Sequence, residues 1–434
     1  MGESVLLAKL RSESLSRRNQ FILLSFMPLY FIVVGLFLQP INTILPGIWT
    51  LMIEPDFLIT DYFVVGGIGS AFINAGLLTL LCIGFAYFSG LAMEGHTITA
   101  SYLMFGFALF GKNLMNVWAI LGGVVLYSLY HKTAITRYLY VGMYGTALSP
   151  IITQIIHFDW LPTPVCLLMG VVIGVIMGFV LPPLSTHVSY AHKGYSLYNV
   201  GFACGIIATV VVSVLKSFRV EVGFRTFWYR GGNDFLCAIL CVFFLGLMLI
   251  AVVIEGKGAF KGYWHILKSP GIGGTDFVKE VGVFPVAFNM GINGLFSTIF
   301  LLLVGGDLNG PTIGGIMTIV GFGSTGKHIR NSLPVMLGVF LASIVKTWNI
   351  TDPSSTLAFL FCTTLAPIAG KFGVFAGILA GFLHSSVVMT VGVVYAGMNL
   401  YNNGFAGGIV AIFLVPVLQS ITDRRARAKG HRSL

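Results

Sequence analysis

GPTIGGIMTIVGFGSTGKHIRN, residues 310–331, is apolar but too short to cross a bilayer, and a glycine-rich turn bearing Lys327 closes it. It has a twin. Residues 95–116 read GHTITASYLMFGFALFGKNLMN, and without a gap Gly95, Thr97 and Ile98 fall on Gly310, Thr312 and Ile313. In the same register Gly106, Phe107, Gly111, Lys112 and Asn116 fall on Gly321, Phe322, Gly326, Lys327 and Asn331. An interrupted apolar segment that recurs at a fixed offset is the mark of a duplicated chain.

The register extends in both directions. Upstream, Gly47, Trp49, Pro55, Thr60, Asp61, Asn74 and Gly76 meet Gly262, Trp264, Pro270, Thr275, Asp276, Asn289 and Gly291. Downstream it shifts and resumes, so that Thr146, Leu148 and Pro150 meet Thr363, Leu365 and Pro367. Near the end of each half G-x-x-L-Y-N-x-G-F-A-x-G-I recurs, from Gly194 to Ile206 and from Gly397 to Ile409, pairing Tyr198 and Asn199 with Tyr401 and Asn402. Shared composition does not place Trp, Pro, Asp, Asn and Lys at one offset. The chain divides into a tail 1–16, a first repeat 17–216, a linker 217–231, a second repeat 232–418 and a basic tail 419–434.

Of 434 residues, 56% are apolar and 9% charged. Soluble domains carry roughly 25% charged residues, and apolar runs recur from residue 20 to residue 418. The fold class is therefore an all-α integral membrane protein, since a bilayer helix needs about 20 apolar residues. The net charge of +10 does not imply nucleic acid, because the basic residues sit at the ends and in short connections, as cytoplasmic loops facing anionic lipid do. The six cysteines lie within apolar runs and form no CxxC pair, so they read as packing residues. The first nineteen residues are polar and charged, and the apolar run after them is long enough to remain as the first helix. A multi-pass protein of the inner (plasma) membrane with both termini cytoplasmic is expected.

Each repeat reads as six or seven segments, 12–14 in total, one of them the short broken or re-entrant helix at 97–110 or 311–325. If the short segments cross, each half has seven crossings and the second half is inverted; if they only dip in and return, each half has six and the halves are parallel. Lysines and arginines favour inversion, with the linker residues Arg219, Arg225 and Arg230 as the misfit.

Residues 321–327 spell most of a P-loop, but His328 and its counterpart Asn113 stand where the magnesium-binding Ser or Thr belongs, and the preceding segment is a membrane segment. Nucleotide binding is not expected. The glycines instead mark a helix break, whose freed backbone groups must be buried in protein or line a wet cavity. Such breaks in two related halves point to a transporter's central site. The competing reading is a tight turn with Lys112 and Lys327 reaching the headgroups. Asn74 and Asn289, inside spans, mark a helix contact or a solute contact. Asp61 and Asp276 precede a span and are helix caps or coupling-ion sites. Tyr198, Asn199, Tyr401 and Asn402 open the last span of each half and face either a pathway or the membrane interface. His384, polar in mid-span and without a repeat partner, is satisfied by a neighbour or relays protons. No HExxH, GxSxG or paired-cysteine motif occurs, so no catalytic residue, metal or cofactor is expected and the protein is not read as an enzyme.

The twinned G-F-x-x-x-G-K and L-Y-N-x-G-F-A segments resemble a family of bacterial multi-spanning membrane proteins known only as a domain of unknown function, over nearly the whole chain. That resemblance implies no activity. Tyr198 to Gly201 and Tyr401 to Gly404 also look like the Tyr-Asn-Gly repeats of urea channels, which are duplicated and inverted; the likeness covers a few residues per half, and the order and number of spans depart from that family. Three functions follow from the residues: a secondary transporter of a small polar or anionic solute coupled to a proton or sodium ion, a passive channel for a small neutral solute, or a structural or signalling membrane protein. The expected partners are the lipid bilayer, a small solute and a second copy of the chain, with no nucleic acid.

Overall fold

The computed structural model describes residues 15–56, 59–158, 161–220 and 225–430. Among these, ten helices are long and apolar enough to cross a membrane, and the protein is a multi-pass membrane protein. Each repeat supplies half of them. Repeat 1 contains α1 (Arg17–Leu38), α2 (Ile41–Ile53), α3 (Tyr62–Val65), α4 (Ile68–Phe88), α5 (Gly95–Phe107), α6 (Trp118–Tyr130), α7 (Leu139–Gly145), α8 (Ser149–Ile156), α9 (Thr163–His192) and α10 (Asn199–Ser217). Repeat 2 repeats the order with α11 (Asn233–Glu255), α12 (Lys257–Ile266), α13 (Phe277–Val281), α14 (Val283–Leu303), α15 (Gly310–Gly321), α16 (Ile329–Val345), α17 (Pro353–Phe361), α18 (Ala366–Phe372), α19 (Val374–Val391) and α20 (Asn402–Gly430). The pairs α7/α8 and α17/α18 are each one span interrupted by a 310 turn. Helix α20 runs on through the basic cluster to Gly430, past residue 418, because Ala, Arg and Lys favour helix and no breaker intervenes.

The spans are helices because only a helix or a closed barrel satisfies its backbone in hydrocarbon. Their outer faces are apolar too. On α1, Ile22, Phe26, Leu29, Val33 and Leu36 form an exposed stripe at helical spacing, while Leu24, Met27, Phe31 and Gly35 are buried. Helix α11 exposes Val242, Leu245, Leu249 and Val253 and buries Leu236, Leu240 and Phe244. An apolar stripe turned outward is the surface that lipid covers.

The two ends of the molecule are distinguished by what meets there. At the terminal face the Arg17 guanidinium, opening α1, donates to Tyr87 O (2.6 Å) and Leu91 O (2.8 Å) at the end of α4. At the linker face Ile59 and Thr60 pair in parallel with Thr226 and Phe227 of the linker. Helix α11 opens at that second face, where Asn233 Nδ2 donates to Gly306 O (3.3 Å) and Asn233 Oδ1 accepts from Leu308 N (2.7 Å) beyond the end of α14. Helices α1 and α11 thus make the same contact within their own repeats, at opposite faces.

The short segments do not stand alone. Helix α5 leaves the terminal face, turns at residues 108–117, and α6 runs back. Tyr140, after α6, donates through its hydroxyl to Glu94, before α5, at 2.9 Å. The turn lies toward the linker face, where Asn116 Nδ2 reaches Asp56 Oδ2 (3.0 Å) and Asn113 Nδ2 reaches Leu51 O (3.1 Å). The second hairpin, α15 and α16, mirrors this. It starts from Gly310 at the linker face and turns at residues 322–328 toward the terminal face, where His328 Nε2 lies 2.9 Å from Ser269 O. The two hairpins cross at the centre of the fold through Gly106 and Gly314. A Cβ on either would come within 2.8 or 2.6 Å of the other's carbonyl oxygen, so only glycine permits this approach.

Candidate functional site

The site is built on the two hairpin turns. In the first, Lys112 N closes on Phe107 O (3.0 Å), and Asn116 Nδ2 holds Gly111 O (3.1 Å). In the second, Lys327 N closes on Phe322 O (2.9 Å), and Asn331 Nδ2 holds Gly326 O (2.9 Å). The carbonyls freed by the break are taken up from the neighbouring span. Asn74 Nδ2 donates to Ala108 O (2.8 Å) and Lys112 O (3.0 Å), and Asn289 Nδ2 donates to Gly323 O (2.8 Å) and Lys327 O (2.9 Å). A buried carbonyl without a partner costs about 1–3 kcal/mol, so these amides are what permits a turn inside the fold. Both are helix-contact residues, and neither lines a cavity described below.

Asp61 and Asp276 are caps, but not only of their own helices. Asp61 Oδ1 accepts from Phe63 N (3.0 Å) in its own repeat and from Gly310 N (3.2 Å), the first residue of the other repeat's hairpin, while Oδ2 accepts from Tyr229 N (2.8 Å). Asp276 Oδ1 accepts from Val278 N (3.0 Å), Lys279 N (3.2 Å) and, across the repeats, Gly95 N (3.0 Å). Each hairpin is therefore capped by the opposite repeat, where the partial positive charge of a helix N-terminus favours a carboxylate. Burial pushes the Asp61 carboxyl up to about 7 against the pull of its three backbone donors. Glu94, beside Asp276, feels the same push, but its ion pair with Lys279 and the Tyr140 hydroxyl hold it below the usual range.

Behind the turns the lysine side chains fold inward. Both are fully buried. Lys327 Nζ donates to the Tyr198 hydroxyl and to Thr363 Oγ1 (2.8 Å), and lies 4.4 Å from the centre of the Tyr198 ring and 5.0 Å from that of Phe322. Lys112 Nζ donates to Met143 O (3.2 Å), approaches Met104 Sδ (3.6 Å), and lies 5.1 Å from the centre of the Phe107 ring. Among the described residues neither meets a carboxylate within 4.0 Å. The rings form a partition: Phe107 is 4.6 Å from Tyr401, Phe322 is 4.9 Å from Tyr198, and Tyr198 is 5.5 Å from Tyr401. Phe361 stacks on Phe107 (5.7 Å) and Tyr144 on Phe322 (6.4 Å). Every member has its counterpart in the other repeat.

A cavity reaches this partition from each side. The first, of about 380 Å³, is bordered at the linker face by Ile59 and Lys216 and lined deeper by Leu357, Phe361, Leu400 and Asn402. The second, of about 210 Å³, is bordered at the terminal face by His96 and lined by Tyr140, Tyr144, Leu197, Tyr198 and Asn199. Leu357, Phe361, Leu400 and Asn402 are the repeat equivalents of Tyr140, Tyr144, Leu197 and Asn199, so the two cavities are one structure made twice. They share no lining residue. Phe361 of the first and Tyr198 of the second stand 6.3 Å apart, ring to ring.

The family described as "Protein of unknown function (DUF1576)" matches residues 41–217 and 255–420, most of each repeat. The chain belongs to that family. No curated protein and no solved structure matches it. The likeness to urea channels stays confined to the few Tyr-Asn-x-Gly residues.

Of the residues singled out in the sequence, the fold brings Lys327, Tyr198 and Tyr401 to the partition and puts Lys112 behind it. Asn199 and Asn402 border the cavities but act as latches. Asn199 Oδ1 lies 2.9 Å from His192 Nε2 and its Nδ2 donates to Ser185 O (2.8 Å); Asn402 accepts from the Tyr395 hydroxyl and donates to Val388 O (3.3 Å). His384 is buried apart from the turns, with Nε2 3.0 Å from Asn403 Oδ1. Sequence reasoning missed Thr363, Tyr144, Phe361 and Phe107/Phe322 as a group. Their signal was there: Phe107 and Phe322 are twins in the repeat register, and Thr363 matches Thr146.

Proposed function

We propose that this protein is a secondary transporter of a small polar or anionic solute, with a pathway between two inverted repeats. The observation that carries this is the pair of equivalent cavities approaching one aromatic partition from opposite faces. Inversion is supported by α1 and α11 opening at opposite faces. It is also supported by the count of crossings: five long spans per repeat is an odd number, and the hairpins enter and return on one side as re-entrant elements. The terminal face is read as cytoplasmic, since Lys132, Arg137, Lys193, Lys257, Lys261, Lys268, Arg330 and Lys371 lie toward it, against Lys216, Arg219, Arg225, Arg230 and Lys346 toward the other. Broken elements repeated at the centre of two halves, with irregular backbone buried there, are the architecture of alternating access. The closed partition favours a transporter over a passive channel, which needs a continuous path. The coupling ion is a proton or sodium ion.

The test uses single cysteines, Val141→Cys in one cavity and Met389→Cys in the other, in a background whose native cysteines are replaced. Membrane-impermeant maleimide should label Val141→Cys from the cytoplasmic side and Met389→Cys from the opposite side of oriented vesicles. Labelling of both from one side removes the two-vestibule reading. Uptake by proteoliposomes with and without an imposed proton or sodium gradient then separates carrier from channel: accumulation indifferent to either gradient excludes coupling.

A further inference from the structure

The lysines behind the partition have more donors than acceptors. An ammonium carries three N–H donors. Lys346 shows what a satisfied lysine looks like in this fold: its Nζ donates to Phe382 O (2.6 Å), Ser385 Oγ (2.7 Å) and Ser386 Oγ (2.6 Å). Lys327 has two oxygen acceptors. Lys112 has one, at 3.2 Å, and a thioether, which is a weak acceptor. Both are fully buried, where an unspent donor on a charged group cannot be satisfied by bulk water. The ring faces beside them ease the charge but accept no hydrogen bond of comparable strength.

The surroundings say what would complete them. Neither cavity is lined by an aspartate or glutamate; the charged or protonatable groups at their borders are Lys216 and His96. A cationic solute would find no carboxylate in either lining; the nearest, Glu94 behind Tyr140, is already paired with Lys279. A neutral amide could accept from one donor but would leave the ammonium charge unopposed. An ionised carboxylate offers two oxygens and about four lone-pair sites. The rest of the enclosure is aromatic. A strongly hydrated inorganic anion entering it would exchange its water shell for ring carbons, at high cost. An anion with an apolar body would instead stack among the rings, as they now stack on one another.

We infer that the aromatic partition is the binding site of a small organic carboxylate with an apolar or aromatic body, entered from the second cavity past Tyr198 and Phe322, its carboxylate taken by the spare donor of Lys327 behind those two rings. This rests on the transport reading for its biological meaning and narrows the solute from polar or anionic to amphiphilic anion. The Tyr198 hydroxyl, between Lys327 and the second cavity, is where an incoming carboxylate first meets the lysine from the terminal face.

The test needs no knowledge of the natural solute. The thermal unfolding of the purified full-length protein is followed in detergent while benzoate, phenylpropionate, benzamide, benzylamine and inorganic phosphate are titrated. A saturable rise in Tm with the two carboxylates, and none with the amide, the amine or phosphate, is expected, because a ligand held by the folded state raises its stability. Lys327→Gln should weaken benzoate binding at least tenfold, while Lys327→Arg, which keeps the charge, retains it more nearly. Equal stabilisation by benzamide overturns the anion; stabilisation by phosphate alone overturns the apolar body; carboxylate shifts unchanged in Lys327→Gln overturn the site. No shift with either carboxylate removes the inference outright, and should Lys327→Gln fail to fold, the wild-type panel and Lys327→Arg still decide. Failure here with two-sided cysteine labelling intact leaves a transporter of another solute. Success here with one-sided labelling leaves a binding site without transport.

Discussion

Replacing Asp61 with alanine should loosen a helix that begins 249 residues away. The carboxylate accepts from three backbone amides: Phe63 N at 3.0 Å, Gly310 N at 3.2 Å and Tyr229 N at 2.8 Å. Each donor left unpaired in the interior costs ~1–3 kcal/mol, so the total is ~3–9 kcal/mol before relaxation. One share belongs to the second repeat. Thr312 N keeps its own cap from Asn309 Oδ1 at 3.0 Å, so the loss there is confined to Gly310 and amounts to ~1–3 kcal/mol. At 1.36 kcal/mol per decade this is a fall of about 5- to 150-fold in amide protection. Hydrogen exchange read by mass spectrometry over peptides spanning 308–318 reports it directly. Faster exchange at 59–66 and 225–230, with 308–318 unchanged, would refute capping across the repeats. The mirror substitution, Asp276→Ala, should speed exchange at 94–100 through the loss of its bond to Gly95 N (3.0 Å).

Three further outcomes are expected. Asn74→Ala should destabilise more than Asn289→Ala in detergent unfolding, by ~2–5 against ~1–3 kcal/mol, because Lys327 O keeps a second donor in Asn293 Nδ2 (3.2 Å) and Lys112 O has no such reserve where Leu78 stands; equal losses would count against the pinning role. Gly314→Val should cost ~3 kcal/mol or prevent folding, since its Cβ would sit 2.6 Å from Gly106 O, and a folded variant of unchanged Tm would deny the hairpin crossing. Burial pushes the Asp56 carboxyl to about 8 and that of Asp61 to about 7, above the ordinary 3.8; a raised carboxyl contributes its stability fully below about pH 4 and loses it as pH rises toward 7 and 8. Tm should therefore fall between pH 5 and pH 9, and Asp56→Asn, neutral throughout, should flatten that slope.

How much of this could be read from the chain depends on the range of the interaction. The duplication was legible because the twin turns repeat glycine, lysine and asparagine at one offset. The asparagines of the spans were legible as buried amides in need of partners, and the partners proved to be the turns. Asp61 and Asp276 were legible as caps, since capping is a local affair of two or three residues. That each also caps the other repeat was not, because no local pattern encodes a contact over 181 or 249 residues. The direction of α6 was not legible either. The helix holds only 13 residues, about 20 Å, and composition does not say which way such a helix points. The lysines were weighed as pathway groups or headgroup anchors; their burial among aromatic rings depends on tertiary packing.

Crossed capping also has a consequence for the order in which the protein is made. The chain is synthesised from its N-terminus, so when α5 emerges, the carboxylate for Gly95 lies 181 residues in the future. When α15 emerges, the carboxylate for Gly310 was completed 249 residues earlier. The first hairpin must wait with an exposed amide end, while the second meets a partner already in place. The two halves, alike in sequence, therefore mature under unlike conditions, and a chain stopped after residue 217 would present a hairpin that its own half has no means to finish.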